Sequence, residues 1–408
     1  MAEQQILPEV SRRSFLRLAG VAASLPVLTE AHFAWAARQQ QQPATHGMTS
    51  PRKVRHPLPS DAVLINANEN PLGPCKAACD AVAAMAPLGG RYDIDGETLK
   101  LTKTFSQQND IPEDHIAVYA GSSEPLHYSV LAFTAPDHPY VTADPSYEAG
   151  MIAAAASGAK IIKVPLTPAH AHDVKAMVAA DPAAGLIYIC NPNNPTGTLT
   201  TREDIVWALE HKPADAILLV DEAYIHLSDA PSVLDLIKAG KDLIVLRTFS
   251  KVYGMAGLRC GLALARPDLL LRLQPYGMNS MPITGSAAAN VSLLETSLVP
   301  TRKKIIADTR TSTFAFLTAN NYSFIPSVSN CFMIDTKRDG KAVIKAMEAK
   351  NIYIGRTWPI WPTYVRVSVG TPAEMALFQT AFKEVMNAPL PTVSHLDATD
   401  PIAFPTLS

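Results

Sequence analysis

The chain has 408 residues, with 35 lysines and arginines against 37 aspartates and glutamates, a formal net charge of −2, and 48% hydrophobic residues. That near-neutral balance, with no basic tract beyond the leader, excludes nucleic-acid binding as the main activity. The length accommodates two or three domains once a leader is set aside.

The first residues carry a targeting pattern. Ser11-Arg12-Arg13-Ser14-Phe15-Leu16-Arg17 precedes an apolar stretch from Leu18 to Leu28, and Ala34-Trp35-Ala36 offers small residues for cleavage. Residues 1–36 therefore read as a twin-arginine (Tat) export signal, addressed to the Tat translocase. Pro26, Thr29, Glu30 and His32 interrupt the apolar core, which falls short of the ~20 apolar residues a stable membrane span needs. Export predicts a periplasmic or otherwise extracytoplasmic protein, and a task outside cytosolic biosynthesis. Residues 37–59, rich in Gln and Pro, read as a mobile arm.

Alternating strand-like and helix-like stretches follow from about Arg91 to about Asn320. Ile116 to Tyr119, Leu186 to Cys190, Ala216 to Val220 and Leu243 to Leu246 read as buried strands. Strands separated by helical stretches predict a mainly parallel sheet sandwiched by helices. The expected layout is a large α/β domain over 91–320, a small α/β domain from 60–90 plus 321–386, and a loose tail over 387–408.

The chemistry-bearing residues cluster at the ends of these strands. Gly121-Ser122-Ser123-Glu124-Pro125 reads as a strand-to-helix turn whose free N–H groups face an anion, with Pro125 in the first helical turn. Asn191-Pro192-Asn193-Asn194-Pro195-Thr196-Gly197 is a turn leading to a helix that begins near Thr201. Asp221 ends one apolar run and Lys251 follows another, which is where ligands sit in α/β sheets.

Together these residues suit pyridoxal 5'-phosphate. Lys251 is the amine that would bind the aldehyde, since a partly dehydrated or cationic pocket favours its neutral form. Asp221 would pair with the ring nitrogen and keep it protonated. Tyr224 and Asn194 would serve the ring oxygen, while Arg259, Ser250, Ser122 and Ser123 would hold the phosphate. Each motif alone is common in loops and strand ends; their co-occurrence carries the reading.

The chain resembles fold-type I, class I/II aminotransferases, most of all the histidinol-phosphate aminotransferase branch. The matching segments run in the family's order from Leu64-Ile65-Asn66-Ala67-Asn68-Glu69-Asn70-Pro71-Leu72-Gly73 through Asp144-Pro145-Ser146-Tyr147 to Tyr364-Val365-Arg366-Val367-Ser368. The resemblance implies the pyridoxal-phosphate transferase fold, with a large and a small domain. It implies a ping-pong exchange of an amino group between an amino acid and a 2-oxo acid, in a homodimer with shared active sites. By the same resemblance Tyr147 stacks on the cofactor ring, Tyr92 reaches the phosphate of the neighbouring subunit, and Arg366 clamps the substrate α-carboxylate. Arg356 occupies a place similar to the arginine that binds the substrate phosphate, yet Trp358, Trp361 and Tyr364 crowd it, leaving the substrate open. A lyase or racemase on the same scaffold and a catalytically silent cofactor-binding protein remain alternatives. Five cysteines, Cys75, Cys79, Cys190, Cys260 and Cys331, leave at least one unpaired and do not resemble a disulfide framework, and no metal is expected.

Overall fold

The computed structural model describes residues 58–93, 96–277 and 280–390. Residues 1–57, which include the expected leader and most of the expected arm, Ile94 and Asp95, Met278 and Asn279, and residues 391–408 of the expected tail lie outside them. Strand β1 (Val63–Ile65) comes first. It is followed by β2 (Ile116–Tyr119), β3 (Tyr140–Asp144), β4 (Ile161–Pro165), β5 (Leu186–Cys190), β6 (Ile217–Asp221), β7 (Leu243–Thr248) and β8 (Gly261–Leu264). The C-terminal part adds β9 (Ser323–Ile325), β10 (Cys331–Asp335), β11 (Ile352–Ile354) and β12 (Tyr364–Ser368).

Strands β2 to β8 form a seven-stranded sheet in the order β2-β8-β7-β6-β5-β3-β4. The pairs from β7 to β4 are parallel, whereas β8 runs antiparallel to both β7 and β2. Every residue of β5, β6 and β7 is buried, which is why these runs are apolar without alternation: helices cover both faces. The mainly parallel sheet expected from the sequence is present, with one strand reversed.

That reversal has a geometric consequence. Because β8 opposes its neighbours, its first residue, Gly261, lies at the same edge as the last residues of β2, β3, β5, β6 and β7. The turn after β2, the loops after β3 and β5, Asp221, Lys251 and the residue pair before β8 thus meet at one sheet edge, as ligand sites do in this architecture.

Local signals set the crossover helices. Thr201 caps the helix Arg202–His211 by accepting from Asp204 N at 3.1 Å, and Asp173 caps Val174–Ala179 by accepting from Ala176 N at 3.0 Å. The helix Ser123–Phe133 returns the chain from β2 to β3.

The smaller sheets are built from both ends of the described region. β1 pairs in parallel with β11, and β10 lies between β9 and β12 in antiparallel register, with Met333 opposite both Ile325 and Arg366. The helix Pro372–Asn387 closes this part, starting with a reciprocal cap in which Thr371 N donates to Glu374 Oε2 at 2.7 Å and Glu374 N donates to Thr371 Oγ1 at 3.2 Å. Phe378 and Phe382 from that helix and Phe332 from β10 are fully buried. The helix Ile283–Leu294 packs against both Lys76–Met85 and Glu97–Asn109.

Candidate active site

Asp221 is 3% exposed at the end of β6. Its Oδ2 accepts from the Tyr188 hydroxyl at 3.0 Å and its Oδ1 from Ala223 N at 3.1 Å. Burial raises its pKa to about 6; the two hydrogen bonds and the nearby Lys251 charge pull the other way. A carboxylate this deep, with hydrogen bonds but no ion-pair partner among the described residues, suits a cationic ligand atom.

Lys251 follows β7 and is half-buried. Its Nζ stands over the Tyr224 ring, 5.5 Å from the centroid. Burial, and then the positive charge of Arg366, lower its pKa to about 8. At that value roughly a tenth of the amine is neutral at pH 7, enough to act as a nucleophile without an added base.

Asn68, in the segment after β1, joins the two parts of the site. Its Nδ2 donates to the Tyr224 hydroxyl at 3.2 Å, to Asn194 Oδ1 at 3.4 Å and to Cys331 Sγ at 3.2 Å. Its backbone N donates to Ser368 Oγ at 2.8 Å, and Ser368 Oγ donates to Asn68 Oδ1 at 3.0 Å. Tyr224, Asn194 and Cys331 are all buried.

Arg366 projects from β12 into the same cluster. Its Nη1 donates to Asn194 Oδ1 at 3.0 Å and its Nη2 to the Asn66 carbonyl at 2.7 Å. These partners are neutral, and no described carboxylate lies within ion-pair distance. Burial lowers its pKa, and an anionic ligand would relieve that cost.

A candidate anion cradle lies beside β2 and β8. Arg259, with φ of 53°, donates through Nη1 to Ala256 O at 2.7 Å and through Nη2 to Ala120 O at 3.2 Å. A Cβ on Gly121 would sit 2.1 Å from Arg259 Nη2, and one on Gly261 would sit 2.5 Å from Ser122 N. Only glycine lets the guanidinium and the first turn of the helix Ser123–Phe133 approach this closely, and that helix start offers N–H groups to an anion. Ser123 Oγ lies 3.4 Å from the Tyr147 hydroxyl, and Ser250 Oγ accepts from Thr248 Oγ1 at 2.9 Å. An anion cradle, a buried carboxylate and a depressed lysine at one sheet edge fit a phosphorylated pyridine aldehyde.

Tyr92 and Arg356 complete the sequence-assigned residues. Tyr92 is 87% exposed. Arg356 is committed to an ion pair with Glu148, the residue after Tyr147, and stacks on Trp358 with 4.4 Å between the guanidinium carbon and the ring centroid. Sequence reasoning assigned no role to Asn68, Tyr188 or Glu148. Asn68 stood inside a quoted motif; for the other two no local signal existed.

Behind Asp221 lies a buried polar network. Arg247 Nε is 2.8 Å from Glu222 Oε2, close enough for ion pairing but out of line for a hydrogen bond. Arg247 Nη2 donates to Ser232 Oγ at 2.8 Å, Ser232 Oγ donates to Glu222 Oε2 at 2.7 Å, and Val233 N donates to Glu222 Oε1 at 2.9 Å. Burial and Arg247 hold the His226 pKa well below its usual range, so its Nε2 accepts from Arg247 Nη1 at 2.8 Å. The network ties β7, through Arg247, to Glu222, the residue after Asp221.

Comparison with known proteins agrees with this geometry. The histidinol-phosphate aminotransferase of Moorella thermoacetica is 30% identical over 339 residues, covering 80% of this chain and 86% of that protein. The aromatic amino acid aminotransferase of Cutibacterium acnes is 30% identical over 322 residues, covering 77% and 90%. The structure of histidinol-phosphate aminotransferase from Sinorhizobium meliloti in complex with pyridoxal-5'-phosphate superposes with a TM-score of 0.74 at 26% identity, covering 79% of this chain and 90% of that one. The model of the family described as aminotransferase class I and II matches residues 58–382, a span that holds every residue of the cluster, and the chain belongs to that family.

Proposed function

We propose that this chain is a pyridoxal-phosphate-dependent aminotransferase that passes the amino group of an amino acid to a 2-oxo acid in two half-reactions, outside the cytosol and as a homodimer. When bound, the cofactor supplies an aldehyde that takes up the amino group and a protonated ring that accepts the electron pair released at the substrate Cα.

The chain's own residues do the rest. Asp221 would hold the positive ring nitrogen, Tyr224 and Asn194 the ring oxygen, and Arg259, Ser250, Ser122 and Ser123 the phosphate. Arg366 binds the substrate carboxylate and so orients Cα toward Lys251. The Lys251 amine would take the proton from the substrate Cα; positioned proton transfer of this kind is worth about 10²–10⁴ in rate. The observation that carries the reading is the pairing, at the adjacent ends of β6 and β7, of a buried carboxylate with a lysine whose pKa burial brings to about 8.

The test is spectroscopic. Purified holoenzyme is mixed with single amino acids while the bound cofactor's absorbance is followed. One donor should shift the band, and a 2-oxo acid should restore it. Ammonia or pyruvate released without any added oxo acid would replace this reading by a lyase.

The export part of the proposal is supported by Arg12 and Arg13 ahead of the Leu18 to Leu28 stretch. Replacing both arginines by lysine should retain the protein in the cytosolic fraction. Among the described residues no helix is long and apolar enough to cross a membrane. The dimer is supported by Tyr92, Leu99 and Leu294, large apolar side chains 87%, 71% and 59% exposed on or beside helices that pack together. Sedimentation of the holoenzyme as a monomer would remove that element.

A further inference from the structure

The site contains two arginines around one indole. Arg356 and Arg366 both lie over the buried Trp358 ring, with guanidinium carbons 4.4 and 5.7 Å from its centroid, and Arg366 N donates to the Arg356 carbonyl at 3.2 Å. They differ in what neutralises them. Arg356 is ion-paired with Glu148, which directly follows Tyr147 in the loop after β3, and both partners are only partly exposed, at 36% and 24%. Among the described residues the Arg366 guanidinium is hydrogen-bonded only to the neutral oxygens of Asn194 and Asn66.

The charge count then discriminates between anions. Two guanidiniums and one carboxylate leave a net charge of about +1 at the anion-binding end. One α-carboxylate matches it. A phosphate monoester, carrying about −1.5 to −2 at pH 7, leaves surplus negative charge facing Glu148. Sequence identity does not make this distinction, because a histidinol-phosphate and an aromatic amino acid aminotransferase are each 30% identical to this chain.

We propose that Glu148 sets the substrate class of this site: by holding Arg356 in an ion pair beside Trp358 it leaves Arg366 as the uncommitted guanidinium, so the site takes amino acids ending in a single carboxylate and rejects amines ending in a phosphate monoester. The proposal rests on the aminotransferase reading above. Glu148 is a specificity determinant that acts through Arg356, with no part in the proton transfer.

The test uses holoenzyme and a matched pair of donors, L-histidine and L-histidinol phosphate, which share the imidazole and the amine and differ in the anionic end. Wild type should favour histidine in kcat/KM by about tenfold or more, the factor that roughly 1.4 kcal/mol supplies. Glu148→Gln frees Arg356 and should move that ratio toward the phosphate ester by about tenfold or more, whereas Glu148→Asp keeps the charge and should keep the wild-type preference. A calorimetric titration with non-reacting ligands gives a readout independent of turnover: phenyl phosphate should gain affinity relative to 3-phenylpropionate in the Gln variant. A wild type that prefers histidinol phosphate, or a Glu148→Gln ratio unchanged within about twofold by both measurements, overturns the proposal while leaving the aminotransferase reading intact. A holoenzyme whose absorbance no amine changes removes the aminotransferase reading, and this proposal with it.

Discussion

Asp221→Asn should stabilise the cofactor-free protein while destroying its activity, and the stabilisation should depend on pH. Burial raises the Asp221 pKa from the ordinary 3.8 to about 6, a difference worth about 3 kcal/mol between the protonated and ionised forms. A folded-state pKa above the unfolded one contributes stability that is complete below 3.8 and lost as the pH rises through about 6. Above pH 7 the ionised carboxylate is therefore a buried cost, which asparagine does not carry. The amide can keep both neighbours, accepting from Ala223 N while its Nδ2 donates to the Tyr188 hydroxyl oxygen, which rotates to accept. The advantage of the variant should grow from about 1.5 kcal/mol at pH 5 to about 3 kcal/mol above pH 7. Thermal melts of cofactor-free wild type and variant across that range measure it. In holoenzyme the order should reverse, because the ring nitrogen then pairs with the wild-type carboxylate. A variant advantage that does not change with pH, or a less stable variant at pH 8, would refute the assignment of Asp221 as a buried charge waiting for a cation.

Lys251→Ala should bind cofactor without covalent attachment, so that borohydride reduction fixes none to the chain; label retained on the variant would move the anchor elsewhere. Arg247→Met leaves Glu222 buried beside Asp221 without its counter-ion and should cost about 3–5 kcal/mol in urea unfolding. Adding Glu222→Gln to that variant should recover part of the loss, and no recovery would mean that packing, not charge, dominates there.

The residues proposed to bind the cofactor were legible because each sits within a few residues of a strand end, and buried parallel strands announce themselves as short apolar runs. Asp221 terminates β6, Lys251 follows β7, and the Ser122-Ser123 turn follows β2, all as the local patterns imply. The reversed β8 left no such trace, since a buried strand reads alike in either direction; its orientation shows only in its pairing with β2 and β7. Partners brought together by the fold were equally silent. Tyr188 reads as one more apolar position of β5, yet its hydroxyl is a main support of Asp221. Glu148 and Arg356 are separated by 208 residues, and nothing near either one predicts the pair. Arg356 was therefore matched to a phosphate-binding role by its position, whereas the structure gives its charge a protein partner. Asn68 shows the same limit from within a recognised motif: its contacts with Asn194, Tyr224 and Cys331 lie 126 to 263 residues away.

The reciprocal hydrogen bonds between Asn68 and Ser368 span 300 residues of chain. During synthesis Asn68 emerges early, but its partner, and Arg366 two residues before it, emerge only after almost all of the catalytic fold has left the ribosome. A nascent or truncated polypeptide ending before this point holds the lysine, the acid and the phosphate cradle, yet lacks the clasp that seats Asn68 against Tyr224 and Asn194. Closure of this corner of the site therefore waits on the last strand of the described fold, since Ser368 and Arg366 both belong to β12.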